Sequence, residues 1–399
     1  MPGLWTDADF RRLWTGQTAS QWGEQTGLVV LPLLAVLTLG VGADQLGVLR
    51  AAGQLPLLLF ALLAGRWVDR RRTRAVMIWT DLGRAVTLGA TVVAALVGGL
   101  GLPVLLLVAF TVGTLSVFFD VAYQASLVRL VRRDDLLRAT SAVEGTRSAA
   151  QIGGPALGGA LVSLLPAVLT VVPAALMFAV SSVSLARIRR REPIVAAGPR
   201  RIRDGVRFVA ADRSLRAICL ASAAFQFFFA ATTTVYLLFL PRELHLSGTA
   251  IGVALASAGP GALAGSLLAA RLPARFGYGR VLLVAALAGD GVMLLAPLLH
   301  GRSVLGPAAI GFVFGTGGQL VNVTVMAVRQ SVTPPALQGR VAATITFAGM
   351  GLTPIGSLLG GFLAGQLELR TALLCTTAGM LLSPLLMALS PLARLRTTF

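Results

Sequence analysis

Residues 65–74 read Gly-Arg-Trp-Val-Asp-Arg-Arg-Arg-Thr-Arg, a short stretch with five arginines. An apolar run long enough to cross a bilayer lies on each side of it, at 45–66 and at 75–98. A hydrocarbon core about 30 Å thick requires roughly 20 apolar residues in helical conformation. The alternation of a long apolar run with a short basic segment therefore predicts a membrane-spanning helical hairpin.

The same alternation continues over the 399 residues of the chain. It is 56% hydrophobic and only 13% charged, whereas soluble proteins have about 25% charged residues. This composition excludes an ordinary soluble enzyme and a disordered chain. The other apolar runs lie at 13–38, 102–126, 137–164, 167–187, 215–240, 248–270, 281–299, 304–328, 341–365 and 370–390. We therefore predict an all-α polytopic membrane protein with twelve transmembrane helices.

The arginines indicate how these spans are oriented. All 34 basic residues are Arg, and the net charge is +18. With a cytoplasmic N-terminus, 28 arginines fall in inner segments and three in outer loops, at Arg242, Arg302 and Arg370. Basic residues accumulate on the cytoplasmic side of membrane proteins. We expect both termini to be cytoplasmic, and we interpret the net charge as an orientation signal that excludes a soluble nucleic-acid binder.

An internal repeat divides the chain. Leu62–Arg66 recurs as Leu267–Arg271, and the Pro-Ala-Leu-Gly-Gly sequence at 155–159 has a counterpart at 354–361. Both offsets are near 200 residues, and duplicated halves are typical of secondary transporters. We predict an N-terminal six-helix bundle at 1–187, a basic cytoplasmic linker at 188–213 and a C-terminal six-helix bundle at 214–399. Pro155 and Pro354 are expected to kink their helices.

Two motifs resemble signatures of the major facilitator superfamily. Residues 65–74 are similar to its cytoplasmic loop motif G-x-x-x-D-R-x-G-R-[RK], although Arg72 replaces the second Gly and Thr73 replaces a basic residue. Gly154, Pro155, Gly158 and Gly159 match the G-P-x-x-G-G core of its antiporter motif. Phe10–Trp14, Gly23-Glu24 and Asp81–Arg84 resemble the branch that contains bacterial siderophore and multidrug exporters. The R-x-x-Q-G motif of other proton antiporters is absent from the sequence.

The resemblance implies two pseudo-symmetric bundles around a central cavity, in a bacterial cytoplasmic membrane. It also implies a cytoplasmic gate, in which the loop residues pair with a carboxylate of the fourth span when the inner side is closed. The alternative is static anchoring of the second, third and fourth spans. The gating candidates are Gly65, Asp69, Arg70, Arg74 and Asp120.

Ionisable residues inside spans are costly, so each is a candidate functional site. Glu24 lies twelve residues after Arg12, about 18 Å along a helix and near the bilayer midplane. It either takes up a proton or a cationic substrate, or it is a neutral structural side chain. Asp290, flanked by Gly289 and Gly291, is either a second protonation site or part of a close helix contact.

Two acid–base pairs repeat one spacing. Asp81 with Arg84, and Glu144 with Arg147, are three residues apart and share a helix face. We favour structural ion pairs over a coupling role, while Arg147 is also a candidate ligand for a substrate anion. The polar residues expected to face the central cavity are Gln21, Gln226, Tyr236, Gln319 and Asn322.

These features together predict a proton-coupled antiporter that exports a small amphipathic compound by alternating access. The compound would be a drug, a siderophore or a secondary metabolite. We expect protons and membrane lipids as further partners, the proton gradient as energy source, no cofactor or metal, and a monomer. The sequence has no phosphate-binding loop, metal-ligand cluster or activated nucleophile, so we do not expect an enzyme. A uniporter or importer of the same fold, and a non-transporting scramblase or sensor, remain open.

Overall fold

The structure of the protein, a computed structural model, describes residues 4–131, 135–190, 202–334 and 337–394. Within these ranges the chain forms helices and no strand. The all-α prediction is therefore confirmed.

The first half of the chain forms six long helices with short connections. Proline occupies the first turn of α4 and of α6, where its missing N–H costs no hydrogen bond. A 3₁₀ turn at Ala167–Val171 precedes α6. The helices are α1 (Ala8–Thr38), α2 (Ala43–Asp69), α3 (Thr73–Leu96), α4 (Leu102–Leu130), α5 (Leu136–Leu164) and α6 (Val172–Ala186).

The second half contains more numerous and shorter helices, because several predicted spans consist of two consecutive helices. The break between α9 and α10 is at Ser257, and the break between α16 and α17 is at Leu381. The helices are α7 (Ile202–Ala211), α8 (Arg213–Arg242), α9 (Gly248–Ala256), α10 (Ala258–Ala269), α11 (Leu272–Phe276), α12 (Tyr278–Val292), α13 (Leu305–Val332), α14 (Gln338–Met350), α15 (Thr353–Gln366), α16 (Leu369–Met380) and α17 (Leu382–Ala388).

Nine spans within the described ranges are long and apolar enough to cross a membrane. The three other predicted spans correspond to α1, α2 and α5, which have 31, 27 and 29 residues. All three contain charged side chains, which lower their hydropathy. The polytopic membrane architecture is confirmed, whereas the count of twelve stays a prediction.

The residue contacts divide the chain into two units. The first is formed by residues in the ranges 1–41 and 52–198, and the second by residues in the ranges 42–51 and 199–399. The segment 42–51 belongs to the second unit, where a side chain at Gly47 would overlap Gly361 and the carbonyl oxygen of Ser357. The predicted boundaries at 187 and 214 stay a prediction.

Glycines set the closest helix contacts inside each unit. A Cβ at Gly154, Gly356 or Gly360 would overlap the neighbouring helix, and a Cβ at Gly158 would lie 3.1 Å from the carbonyl oxygen of Thr26, so the absence of a Cβ permits the approach. Two second-unit contacts are displaced by 202 residues from two first-unit contacts, so the internal repeat extends to packing. The pairs are Gly154 with Gln25 and Gly158 with Val29 between α5 and α1, and Gly356 with Phe227 and Gly360 with Ala231 between α15 and α8.

The first turn of α1 is joined to the segment that follows α6. The Asp9 carboxylate accepts hydrogen bonds from the backbone N–H groups of Arg189 (3.1 Å) and Arg190 (3.0 Å), and from the Arg12 guanidinium (2.9 Å). Partial burial acts to raise the pKa of Asp9, but these donors outweigh it and hold the pKa below its ordinary value. Asp9 therefore stays ionised at neutral pH and stabilises this end of the first unit.

Candidate functional site

The first unit contains a buried arginine that contacts several helices. Arg84 of α3 has no solvent exposure, and its guanidinium forms an ion pair with Asp81, one helical turn earlier and equally buried. Its Nη1 atom also lies 3.7 Å from Oε2 of Glu24 on α1. Two carboxylates therefore share one guanidinium, and Glu24, whose side chain is 22% exposed, is the more accessible of the two.

Two hydroxyl groups accept hydrogen bonds from the terminal nitrogens of this guanidinium. Arg84 Nη1 donates to Ser116 Oγ (3.1 Å), and Nη2 donates to Ser20 Oγ (3.0 Å). The Ser20 hydroxyl in turn donates to Asp81 Oδ1 (3.3 Å). We refer to Ser20, Glu24, Asp81, Arg84 and Ser116 as the Arg84 cluster.

Two aromatic rings cover the faces of the guanidinium. Its central carbon lies 4.3 Å from the ring centroid of Phe178 on α6 and 4.5 Å from that of Phe119 on α4. Arginine stacks on aromatic rings and donates in a fixed planar pattern, which lysine cannot reproduce. Helices α1, α3, α4 and α6 are thus joined at one side chain.

The cluster carries more negative than positive charge. Asp120 of α4 interacts electrostatically with Glu24, Asp81, Arg84 and Arg147. Arg147 is half exposed and lies 3.9 Å from Glu144, so Arg84 is the buried cation for three carboxylates. An unpaired charge in the membrane interior is costly. This site therefore favours the binding of a proton or a cation.

The antiporter motif supports the helix that carries Glu24. Gly154 and Gly158 of α5 lie against α1 beside Gln25 and Val29, and α5 continues through Pro155 to Leu164. Gly159 is buried in the same helix. The motif thus determines how closely α1 approaches α5.

The loop motif makes local contacts in this structure. Arg74 Nε donates to the carbonyl oxygen of Leu185 at the end of α6 (3.1 Å). Arg70 is exposed, and the space around Gly65 is open. The side chain of Asp69 lies outside the described residues. Asp120 lies among the intramembrane charges near Arg84. The gating role of Asp120 and of the loop residues stays a prediction.

The second unit contains a cavity of about 380 Å³. Asp290 of α12 lines it, is 5% exposed, and has no hydrogen-bond or ion-pair partner in the described part of the chain. The other polar residues that line the cavity are Ser222, Gln226, Asn322, Arg329, Thr346 and Ser383. The apolar lining residues include Phe225, Ile345 and Met350. The cavity volume is within the usual range for sites of small ligands, roughly 300–1,000 Å³.

The sequence identified only part of these two sites. The cavity brings together Asp290, Gln226 and Asn322, all of which were candidates from the sequence. Three other cavity candidates lie elsewhere: Gln319 is next to Gly265 on α10, and Gln21 and Tyr236 are buried in α1 and α8. The sequence missed the hydroxyl and aromatic partners of Arg84. Their only signal was the presence of serines within apolar spans.

Comparisons with known proteins agree with this architecture. Residues 5–398 match a protein-family model described as transmembrane secretion effector. The chain is 27% identical over 385 residues to the multidrug efflux pump Tap of Mycobacterium tuberculosis strain H37Rv, covering 88% of this chain and 86% of Tap. It is 28% identical over 386 residues to the multidrug efflux pump Tap of Mycolicibacterium fortuitum, covering 90% of each chain.

Solved structures show the same fold at low sequence identity. A bacterial homologue of the human lysosomal transporter Spinster, in an inward-facing and occupied conformation, has a TM-score of 0.78 at 14% identity, covering 100% of this chain and 98% of that one. A bacterial homologue of the iron transporter ferroportin, in an inward-facing state, has a TM-score of 0.77 at 15% identity, covering 97% and 98%.

Proposed function

Because the chain belongs to the transmembrane secretion effector family of major facilitator transporters, we propose that it exports a small amphipathic compound in exchange for protons. The family is one of membrane transporters for small molecules and not an enzyme family. Export in particular is supported by the relatives named multidrug efflux pumps. Their bacterial origin supports a place in the plasma membrane.

The Arg84 cluster is the observation that carries the proton-coupling proposal. One buried guanidinium is shared by Asp81 and Glu24, with Asp120 nearby. The surplus of carboxylates over buried cations is relieved when one carboxylate binds a proton. Because Asp81 is fully buried and in direct contact with Arg84, the accessible Glu24 is the proton acceptor.

Proton binding at Glu24 changes the forces on α1. Ionised Glu24 attracts the Arg84 guanidinium across 3.7 Å, whereas protonated Glu24 loses that attraction. An ion pair that exists in one protonation state and not in the other biases a two-state equilibrium. In the proposed cycle Glu24 is ionised while substrate binds from inside. Proton uptake from outside then favours substrate release and the return step.

The variant Glu24→Gln tests this assignment. The amide keeps the size of the side chain but cannot bind or release the proton, so we expect loss of gradient-driven transport with the fold intact. The measurement is accumulation of the dye ethidium by proteoliposomes under an imposed pH gradient. We expect at least a tenfold lower initial rate for the variant, while downhill ethidium equilibration without a gradient continues.

Glu368→Gln is the matched control. Glu368 is exposed at the start of α16, and its side chain makes no cap hydrogen bond, so the same Glu-to-Gln change there leaves the rate unchanged. Gradient-driven accumulation by Glu24→Gln at the wild-type rate would contradict the assignment. Concentrative transport by the wild-type protein that persists after a protonophore would favour a uniporter, an importer or another energy source. Absence of any ethidium-stimulated proton flux would favour a scramblase or a sensor.

A further inference from the structure

The two units carry different chemistry at equivalent positions. The offset of 202 residues that relates their glycine contacts also relates four residues of the Arg84 cluster, together with the neighbouring Phe119 and Asp120, to residues of the second unit. All six of these counterparts line the 380 Å³ cavity. The equivalent pairs are Ser20 and Ser222, Glu24 and Gln226, Arg84 and Ala286, Ser116 and Gly318, Phe119 and Val321, and Asp120 and Asn322.

The cavity therefore occupies the place that Arg84 fills in the first unit. Arg84 is the largest fully buried side chain among the described residues. Its counterpart Ala286 has only a methyl group. The ring of Phe119 is replaced by the smaller Val321. Removal of a guanidinium and a phenyl ring from a packed bundle leaves an open volume unless neighbouring side chains fill it. Here the volume remains open.

The charged residues also differ between the two units. In the first unit an arginine is surrounded by carboxylates. In the second unit two of those carboxylates are replaced by the amides of Gln226 and Asn322, and the arginine is absent. One carboxylate, Asp290, enters the cavity from α12 and has no partner among the described residues. The second unit thus has a carboxylate and an open volume where the first unit has the Arg84 guanidinium, and Arg329, the basic side chain of the cavity lining, forms no ion pair with Asp290.

We infer that this cavity binds the cationic group of the exported compound, a protonated amine, a guanidinium or an amino-substituted aromatic cation, with Asp290 as its counter-ion. This inference rests on the proposed export function and identifies its substrate class. A buried carboxylate without a partner is costly, and a cation at hydrogen-bond distance offsets that cost. The side-chain carbonyls of Gln226 and Asn322 are acceptors for the remaining N–H groups. Phe225 lines the same cavity and supplies apolar contact for the rest of the compound.

Arg329 is the other charged residue of the cavity lining and restricts the substrate further. It lies seven residues after Asn322 in the last turn of α13, about 10 Å along the helix axis. A second cation near Arg329 is repelled, whereas a hydroxyl, carbonyl or ether oxygen accepts its hydrogen bonds. The expected substrate is therefore an amphipathic monocation that also carries a hydrogen-bond acceptor, and a second cationic group near Arg329 is disfavoured.

The test measures binding to the purified full-length protein in detergent, without a proton gradient. The probes are ethidium, a permanent monocation, and Nile red, a neutral dye of similar size, both followed by fluorescence polarisation. Asp290→Asn keeps the side-chain volume and removes the charge. We expect it to weaken ethidium binding at least tenfold and to change Nile red binding less than twofold. Glu368→Gln, which removes an exposed carboxylate of the same unit, leaves both affinities unchanged.

A second variant tests the comparison of the two units directly. Ala286→Arg places an arginine at the position equivalent to Arg84. We expect the new guanidinium to pair with Asp290 and abolish ethidium binding, while size-exclusion chromatography shows a folded protein. Ala286→Met, a neutral filler of similar length, is the matched control and retains more ethidium affinity than Ala286→Arg.

Three outcomes overturn the inference: wild-type ethidium affinity in Asp290→Asn, equal losses for ethidium and Nile red, or no ethidium binding by the wild-type protein. Loss of proton flux in Asp290→Asn with ethidium binding intact makes Asp290 a protonation site and overturns it as well. These results are independent of the Glu24→Gln transport assay. A failure of proton exchange is therefore distinguishable from a failure of the binding site.

Discussion

At the scale of single residues, the contacts at position 84 require an arginine, and another cationic side chain cannot make them. Its two terminal nitrogens donate to hydroxyls on α1 and α4 while the group pairs with Asp81 on its own helix. Both faces of the planar group are covered by aromatic rings. An ammonium group is compact and strongly hydrated, so it cannot make all of these contacts from one position.

We therefore predict that Arg84→Met strongly destabilises the protein. Methionine fills part of the volume but leaves Asp81 buried without its partner, a situation that costs about 3–5 kcal/mol in comparable buried pairs. Arg84→Lys retains the charge, so we expect it to reduce the stability of the protein less than Arg84→Met does. The measurement is the midpoint of unfolding in detergent as a function of denaturant.

The double variant Asp81→Asn/Arg84→Met provides the control for this prediction. Removing both charges eliminates the uncompensated carboxylate, so we expect the double variant to be more stable than Arg84→Met alone. Additive losses from the two single changes would show that the ion pair makes no coupled contribution to folding.

The residue-level site was only partly predictable from the sequence. The spacing of Asp81 and Arg84 on one helix face predicted their pairing, and the polarity of α1 identified Glu24. The meeting of Glu24 with Arg84 depends on how α1 packs against α3, and no local pattern encodes that packing. Phe119 and Phe178 resemble any other core aromatic residue until Arg84 is located between them.

At the scale of the elements, glycine determines where helices approach each other. Gly154 of α5 and Gly356 of α15 occupy equivalent positions and lie against Gln25 and Phe227. Gly145, nine residues before Gly154 in α5, has no atom near the place of a Cβ. The same residue type therefore has opposite roles within one helix.

We predict that Gly154→Ala and Gly356→Ala destabilise the protein, whereas Gly145→Ala does not. Overpacking in a close helix contact costs about 1–3 kcal/mol, while alanine at an open helical position gains up to about 1 kcal/mol over glycine. Thermal unfolding of the three variants in one detergent checks the order. Equal melting temperatures for Gly145→Ala and Gly154→Ala would contradict the role of the motif in helix packing.

The elements also show a limit of sequence patterns. Apolar runs placed most helices within a few residues, because span length follows from bilayer thickness. The span with Pro354 divides into α14 and α15 near that residue, whereas α5 continues through Pro155. Both prolines were expected to kink their helices, so proline alone does not predict where a span breaks. Tertiary packing decides that outcome.

At the scale of the whole molecule, the arginine distribution leads to a prediction about orientation. Reversing the chain in the membrane would require 28 arginines on the outer side and three on the inner side. The excess of basic residues in cytoplasmic loops is the strongest sequence signal for topology. We therefore predict that the segment around Arg207 is cytoplasmic and that the loop around Ser303 is external. Both residues are exposed, at the start of the second half and before α13.

Single cysteines at these two positions measure the orientation. The native thiols Cys219 and Cys375 are first replaced by alanine, because both are free and Cys375 is exposed. In intact cells we expect a membrane-impermeant maleimide to label Ser303→Cys at once. Arg207→Cys is expected to react only after the membrane is permeabilised, since a charged reagent does not cross the hydrocarbon core. The reverse labelling pattern would contradict the predicted topology. It would also assign the arginine-rich segments to the outer surface, against the predicted cytoplasmic location of both termini.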